Sequence, residues 1–223
     1  LPSSAILTLL TDRASLYLSL LCFTFYAAVF PFLNFATDLL IHKYHLPVSS
    51  AGILTSVVTW TTILFTPLGG LFIDRFGKRA SLMVYGSIIL ILVHLAIGFT
   101  TINPFIPMAF LGLAFSLVPA AMWPSVPIIV PESRLGTAYG LMSMIQSLGL
   151  AGMPLVMGAV LSAANRGVTP ERIAAGEASW DYRAVMAVMM AMGAVALTFA
   201  ILLKRLERSE RIGLEHPTAR ETN

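Results

Sequence analysis

The chain has 223 residues, of which 57% are hydrophobic and only 11% charged, against about a quarter charged in ordinary soluble domains. A water-soluble fold cannot hide that much apolar surface, so the bilayer has to serve as solvent. The net charge of +3, carried in short cationic clusters between apolar runs, suits a membrane surface and not nucleic acid, and the single cysteine, Cys22, leaves no intrachain disulfide to form.

Six runs reach the length of about 20 apolar residues that a helix needs to cross the hydrocarbon core. A lead-in over residues 1–13 ends in Thr11-Asp12-Arg13 and lacks the small-residue cleavage site of a signal peptide. The first span is expected over residues 14–41. After Pro31 it turns polar, with Asn34, Thr37 and Asp38, the pattern of a helix broken near its outer end. Asp38 reads either as an outer gate or ion partner, or as a hydrated interfacial acid. His42 and His45 follow, with no glutamate to complete a zinc-protease helix. The second span is expected over 48–73.

The break between the second and third spans holds four charges and a glycine: Asp74-Arg75-Phe76-Gly77-Lys78-Arg79. Gly77 suits a turn that needs positive φ. Asp74 sits at the end of the incoming helix, where a bare acid opposes the helix dipole, so it is expected to serve something outside its own helix. The third span is expected over 81–99. Its His94 is either a proton-relay group or a structural, snorkelling histidine, and its apolar neighbours favour the second. No formal charge occurs between Ala80 and Pro131. The turn Thr100-Thr101-Ile102-Asn103-Pro104 divides a stretch otherwise far too long for one membrane crossing.

The fourth span, 103–130, contains Pro119, Pro124 and Pro127, with Pro131 just after it. Each interior proline removes a backbone hydrogen bond, and in lipid the freed carbonyl needs a neighbour or water. The span therefore reads as a bending element beside an aqueous path, or as a static kink in a packed bundle. Trp123 and Ser125 flank Pro124 and offer an aromatic wall and a hydroxyl at that bend. The fifth span, 135–164, carries a stripe of small residues, Gly136, Gly140, Ser143, Ser147 and Ala151, expected to pack on another helix. Tyr139, Ser143 and Gln146 share a flank of that stripe. Gln146, well inside the span, faces a cavity or makes an interhelical hydrogen bond. The segment from Arg166 to Trp180, with Pro170 and Gly176, is the longest external loop. The sixth span is expected over 184–203, and residues 204–223 form a charged tail expected to be disordered.

Lysine and arginine set the orientation. With the start placed inside, ten of the fourteen cations fall on the inner side, and only Lys43, Arg166, Arg172 and Arg183 fall outside. Both termini are then cytoplasmic. No glycine-rich phosphate loop, Ser/His pair, paired carboxylates or metal-ligand cluster lies within the spans, so no enzyme, cofactor, metal or nucleotide drive is expected.

The Gly70-x-x-x-Asp74-Arg75-x-Gly77-Lys78-Arg79 segment resembles the signature loop of the major facilitator superfamily. Three further stretches, Tyr26-Ala27-Ala28-Val29-Phe30-Pro31-Phe32, Met122-Trp123-Pro124 and Val130 to Gly140, with Gln146-Ser147-Leu148-Gly149-Leu150 after them, are similar to the branch that contains the lysosomal dipeptide uniporter. The resemblance runs from about Phe25 to Gly158. It implies an all-α integral membrane protein whose six transmembrane helices form one half, helices seven to twelve, of a twelve-helix fold. The first, second, fourth and fifth spans then line a central cavity, and the third and sixth face lipid more. Tyr26, Asn34, Trp123, Ser125, Tyr139 and Gln146 are the cavity candidates, and Gly70, Asp74, Arg75, Gly77, Lys78 and Arg79 form the gating loop. Thr37 stands where animal members carry a basic residue.

On that footing the chain is expected to move small polar solutes by alternating access, dipeptides first. The alternatives are a proton-coupled carrier of organic anions, sugars or drugs with the same fold, or a transport-dead scaffold or sensor. Expected partners are the solute, membrane lipid, a missing N-terminal six-helix half (in the same chain or as a second copy) and an accessory membrane protein. The expected location is a cell inner or plasma membrane, or the lysosomal membrane in an animal.

Overall fold

In hydrocarbon every backbone N–H and C=O must be satisfied within the chain, which leaves helices and closed barrels, and an uninterrupted apolar run of about 20 residues suits the helix. The computed structural model describes residues 3–217, and every regular element among the described residues is helical. In order these are α1 (Ser3–Thr11), α2 (Arg13–Tyr44), α3 (Val48–Phe76), α4 (Arg79–Phe99), α5 (Phe105–Met122), α6 (Val126–Ile129), α7 (Leu135–Ala164), α8 (Pro170–Ala174) and α9 (Arg183–Glu210). Single 3₁₀ turns, Trp123–Ser125 and Glu132–Arg134, lead into α6 and α7. Six elements are long and apolar enough to cross a membrane: α2, α3, α4, the α5–α6 run, α7 and α9.

Local chemistry sets most of the ends. Asp12 caps α2, its carboxylate accepting from the Ser15 N–H at 2.8 Å. His45 closes the same helix with a left-handed backbone, φ 53°. The Asn103 side chain accepts from the Phe105 N–H at 3.0 Å and starts α5. Val130 leaves α6 in an extended conformation, as a residue before proline is driven to do, and Pro131 follows.

α2 is the centre of the bundle. Phe25, Ala27, Ala28, Val29, Phe32, Ala36 and Leu39 along it have no exposed surface. α7 and α9 pack on it, α4 lies between α9 and α5, and α3 lies chiefly on α5. Two glycines show how close these approaches are. A Cβ at Gly112 on α5 would meet the Val58 carbonyl and stand 2.7 Å from the Thr61 Cβ on α3. One at Gly193 on α9 would stand 2.9 Å from Ile91 on α4. His94 is enclosed in this core, edge-on to Phe32 with ring centroids 5.2 Å apart and Nδ1 2.8 Å from the Leu90 carbonyl. It is a packing residue and does not snorkel.

Three expectations change. α2 is not broken near Pro31 but runs through to Tyr44. Losing the one hydrogen bond to the Ala27 carbonyl does not interrupt a helix enclosed by three neighbours. The small stripe on α7 does not pack on another helix of this chain. Gly136 and Gly140 have nothing within 4 Å of an added Cβ, and Ser143, Ser147 and Ala151 are exposed. The close contact on α7 is instead Gly149, against Phe23 and Ala27. The tail is ordered as far as it is described. α9 continues past 203 to Glu210, and residues 211–217 fold back on the start of α4 with Leu214 fully buried. Residues 218–223 of that expected tail lie outside the described residues.

The bundle has two ends. At the Gly77 end lie α1, the α3–α4 loop, the Glu132–Arg134 turn and the end of α9. At the Trp180 end lie the α2–α3 turn, the Thr100–Pro104 turn and α8.

Candidate functional site

The bend after α5 gathers side chains from three helices. Pro127 has no N–H to give the Trp123 carbonyl, so that carbonyl loses its α-helical partner. Val126 N–H takes it in a 3₁₀ bond, and the Tyr139 hydroxyl of α7 donates to it at 3.3 Å. The Trp123 indole N–H in turn donates to the Tyr26 hydroxyl oxygen of α2 at 3.0 Å. The Trp123 and Tyr139 rings stack with centroids 6.0 Å apart and an interplanar angle of 19°. Tyr26 stacks on Phe30 at 5.7 Å and meets Phe115 of α5 edge-on at 5.8 Å. Five aromatic rings thus form one surface, and hydrogen bonds between Tyr26, Trp123 and Tyr139 fix its geometry.

Tyr26 is almost fully buried, whereas Trp123 and Tyr139 keep half-buried faces, so the group forms a wall and not an enclosed cavity. Asn34 lies exposed on α2 beyond Phe30, and Gln146 is half-buried on α7 two turns beyond Tyr139. No hydrogen bond or ring contact joins either to the aromatic group. Ser125 turns away. It is buried, and its hydroxyl donates to the Ala121 carbonyl at 2.7 Å, so it stabilises the bend. Phe30 and Phe115 are absent from the sequence-based candidates. Spacing could have found both, since Phe30 is one turn beyond Tyr26 and Phe115 two turns before Trp123.

The Gly77 loop is the second feature. Gly77 has φ 69° and ψ −120°, and a Cβ there would overlap the backbone of His216 and stand 2.6 Å from the Glu215 carbonyl. Lys78 is left-handed, and Arg79 is buried with its guanidinium donating to the His216 carbonyl at 3.0 Å. Asp74 and Arg75 are exposed, Arg75 lying over the Phe76 ring. A cavity of about 710 Å³ opens between this loop, the proline bend and the end of the chain, lined by Gly70, Asp74, Arg79, Pro124, Pro127 and His216 among others.

The Trp180 end is tied by long-range polar contacts. Asp38 accepts from the Tyr182 hydroxyl and faces His42 Nε2 at 3.3 Å. Burial, then the hydrogen bond and charge of Asp38, push the Tyr182 phenol well above its ordinary value of 10.0. Lys43 donates to the terminal carbonyls of α4 at Ile97 and Gly98, a favourable place for a cation. Asn165 exchanges two hydrogen bonds with the Asp181 backbone, at 2.7 and 2.9 Å.

The family model described as Major Facilitator Superfamily matches residues 16–220. The chain is 38% identical over 157 residues to the lysosomal dipeptide transporter MFSD1 of Gallus gallus, covering 68% of this chain and 36% of that protein. The Homo sapiens protein of the same name is 37% identical over 142 residues, covering 64% of this chain and 30% of that one. The chain therefore spans about a third of the length of these curated relatives. The inward-open structure of the xylose transporter XylE from E. coli superposes with a TM-score of 0.61 at 18% identity, over 91% of this chain and 52% of that one. At that identity the likeness concerns the fold alone.

Proposed function

The chain belongs to the major facilitator superfamily, and from that premise we propose that it is the C-terminal six-helix half of an alternating-access transporter of small polar solutes, dipeptides foremost. The observation that carries the reading is the aromatic wall of Tyr26, Trp123 and Tyr139, held at a proline-made bend beside two helices with unpartnered faces. α3 exposes Trp60 at 70% and α7 exposes Leu155 at 77%. The uncovered small residues of α7 suit close approach by another helix. A second bundle of six helices, from the same protein or a second copy, covers these faces, and the two bundles rock about a site near mid-membrane. The Gly77 loop lies on the cytoplasmic side with both ends of the chain, following its cations. There Asp74 and Arg75, both exposed, reach groups on the other bundle.

The solute class rests on the relatives' names and on the chemistry of the wall. Tyr26, Trp123 and Tyr139 of the wall, with Asn34 and Gln146 farther along α2 and α7, carry no formal charge. They offer ring faces and neutral hydrogen-bonding groups, which suit an ammonium group over an aromatic ring and a peptide amide. The lysosomal name of the relatives favours a lysosomal membrane. The test is uptake of radiolabelled dipeptides by proteoliposomes containing the intact protein, with a sugar and an organic anion as competitors. Saturable dipeptide uptake that Trp123→Ala weakens supports the reading. Sugar or anion uptake without dipeptide uptake moves the chain to another carrier of the same fold. No flux of any solute leaves a scaffold or sensor.

A further inference from the structure

α4 starts without a cap of its own. Lys78, at the N-cap, makes no side-chain hydrogen bond to the first turn. The first N–H groups of a helix still need acceptors, and here the end of the chain supplies them. Lys78 N–H donates to the Glu215 carbonyl at 3.3 Å, Arg79 N–H to the Leu214 carbonyl at 3.0 Å, and Ser81 N–H to the Glu215 carboxylate at 2.8 Å. The same carboxylate accepts from the Ser81 hydroxyl at 3.0 Å and faces the Lys78 ammonium at 3.6 Å. A carboxylate at a helix N-terminus is also favoured by the helix dipole.

The segment that delivers Glu215 is itself built. Arg211 turns the chain out of α9 with φ 52°, and Gly213 follows at φ 108°. Glu207, buried near the end of α9, accepts from the N–H groups of Gly213 at 3.0 Å and Glu215 at 3.4 Å. Leu214 anchors the turn with no exposed surface. Ile212, Gly213, His216 and Pro217 then form one wall of the 710 Å³ cavity whose other walls are the Gly77 loop and the proline bend. Whatever moves this segment uncovers that cavity and uncaps α4 together.

We propose that residues 211–217 are a clasp that positions the Gly77 loop and controls access to the cavity beneath it, with Glu215 as the positioning residue and Glu207 as its anchor. The clasp rests on these contacts alone, while its effect on solute movement rests on the transporter reading. The latch is ionic and reachable by water. The side chains of Lys78 and Glu215 are 57% and 20% exposed, so it can open without unfolding the bundle.

The test uses the intact protein in lipid nanodiscs and proteoliposomes. Ile128 lines the cavity, and the native Cys22 is buried, so Ile128→Cys provides a reactive thiol at the cavity for a bulky maleimide, with labelling read on the peptide that contains position 128 and against the protein without the introduced cysteine. Glu215→Ala, Glu215→Asp and a chain cut after Glu210 are compared with the parent. Loss of one charge-assisted hydrogen bond raises amide exchange at Ser81 by about ten- to a hundredfold. Glu215→Ala and the cut chain are expected to show that increase, a labelling rate raised about tenfold and an altered maximal transport rate at unchanged KM, with Glu215→Asp restoring most of each. Unchanged exchange at Arg79 and Ser81 overturns the clasp. Raised exchange with unchanged labelling and transport reduces the segment to a structural cap and also overturns it. If the intact protein moves no solute, the transporter reading fails by itself, and labelling of the introduced thiol still decides the clasp.

Discussion

Gly77→Ala is expected to destabilise the protein by about 3–5 kcal/mol through two separable causes. The backbone at φ 69°, ψ −120° is open to glycine and costs other residues about 1–3 kcal/mol. The added Cβ also overlaps the His216 backbone, so the end of the chain must move. Moving it gives up part of three contacts: the Lys78 and Arg79 N–H bonds to the Glu215 and Leu214 carbonyls, and the Ser81 bond to the Glu215 carboxylate. Neutral bonds are worth about 1 kcal/mol each and a charged one about 1.5–3 kcal/mol, so partial loss amounts to roughly 2 kcal/mol. The second cause disappears if the chain is cut after Glu210, and the first does not. A double-mutant cycle of Gly77→Ala with that truncation should therefore show a coupling of about 2 kcal/mol. Cys22 is fully buried, so labelling of its own peptide by a thiol-reactive dye, read by mass spectrometry along a denaturant series in detergent, reports unfolding. A Gly77→Ala cost that stays the same, to within about 0.5 kcal/mol, in the full and the cut chains would falsify the steric account.

Asp74→Ala is expected to lower the transport rate while leaving expression and membrane insertion intact, and equal rates at matched expression count against the gating role. Trp123→Phe keeps a ring but loses the N–H to Tyr26, costing about 1 kcal/mol of stability and less transport than Trp123→Ala. If Trp123→Ala and Gln146→Ala leave both affinity and rate of dipeptide uptake unchanged, the cavity assignment is wrong. Gly112→Leu drives a side chain into the Val58 carbonyl of α3 and should separate α3 from α5, seen as a loss of folded protein on size exclusion. Normal yield and elution of that variant would contradict the close approach. For Tyr182, the folded state holds the phenol proton more tightly than the unfolded chain. The stability this supplies is whole below pH about 10 and declines as pH rises above that value. Tyr182→Phe should be less stable than the parent at neutral pH and should lose less on going to pH 11, and parallel pH curves would refute the Asp38 contact.

What the sequence by itself determined is what depends on nearest neighbours along the chain. Apolar runs interrupted by charge mark the membrane-crossing helices, because transfer of a segment into hydrocarbon depends on that segment's own side chains. The positive φ of Gly77 was legible from its place in a tight charged loop, as was the bend at Trp123 from the prolines around it. The tertiary structure decided everything that joins residues far apart in sequence. Ser125 reads as a cavity hydroxyl until its bond to Ala121 is seen, because a hydroxyl in a helix has its own backbone as a competing partner. The stripe on α7 reads as a packing face, and only the placement of α2 against Gly149 reveals which side is covered within this chain. The charged tail reads as solvated, since composition records a glutamate's charge but not the uncapped helix start 134 positions away that gives Glu215 its partners. Asp38 and Tyr182, 144 positions apart, meet for the same reason. A buried or half-buried polar group takes whichever partner the packing of apolar helices brings within reach, and that packing is a property of the whole bundle.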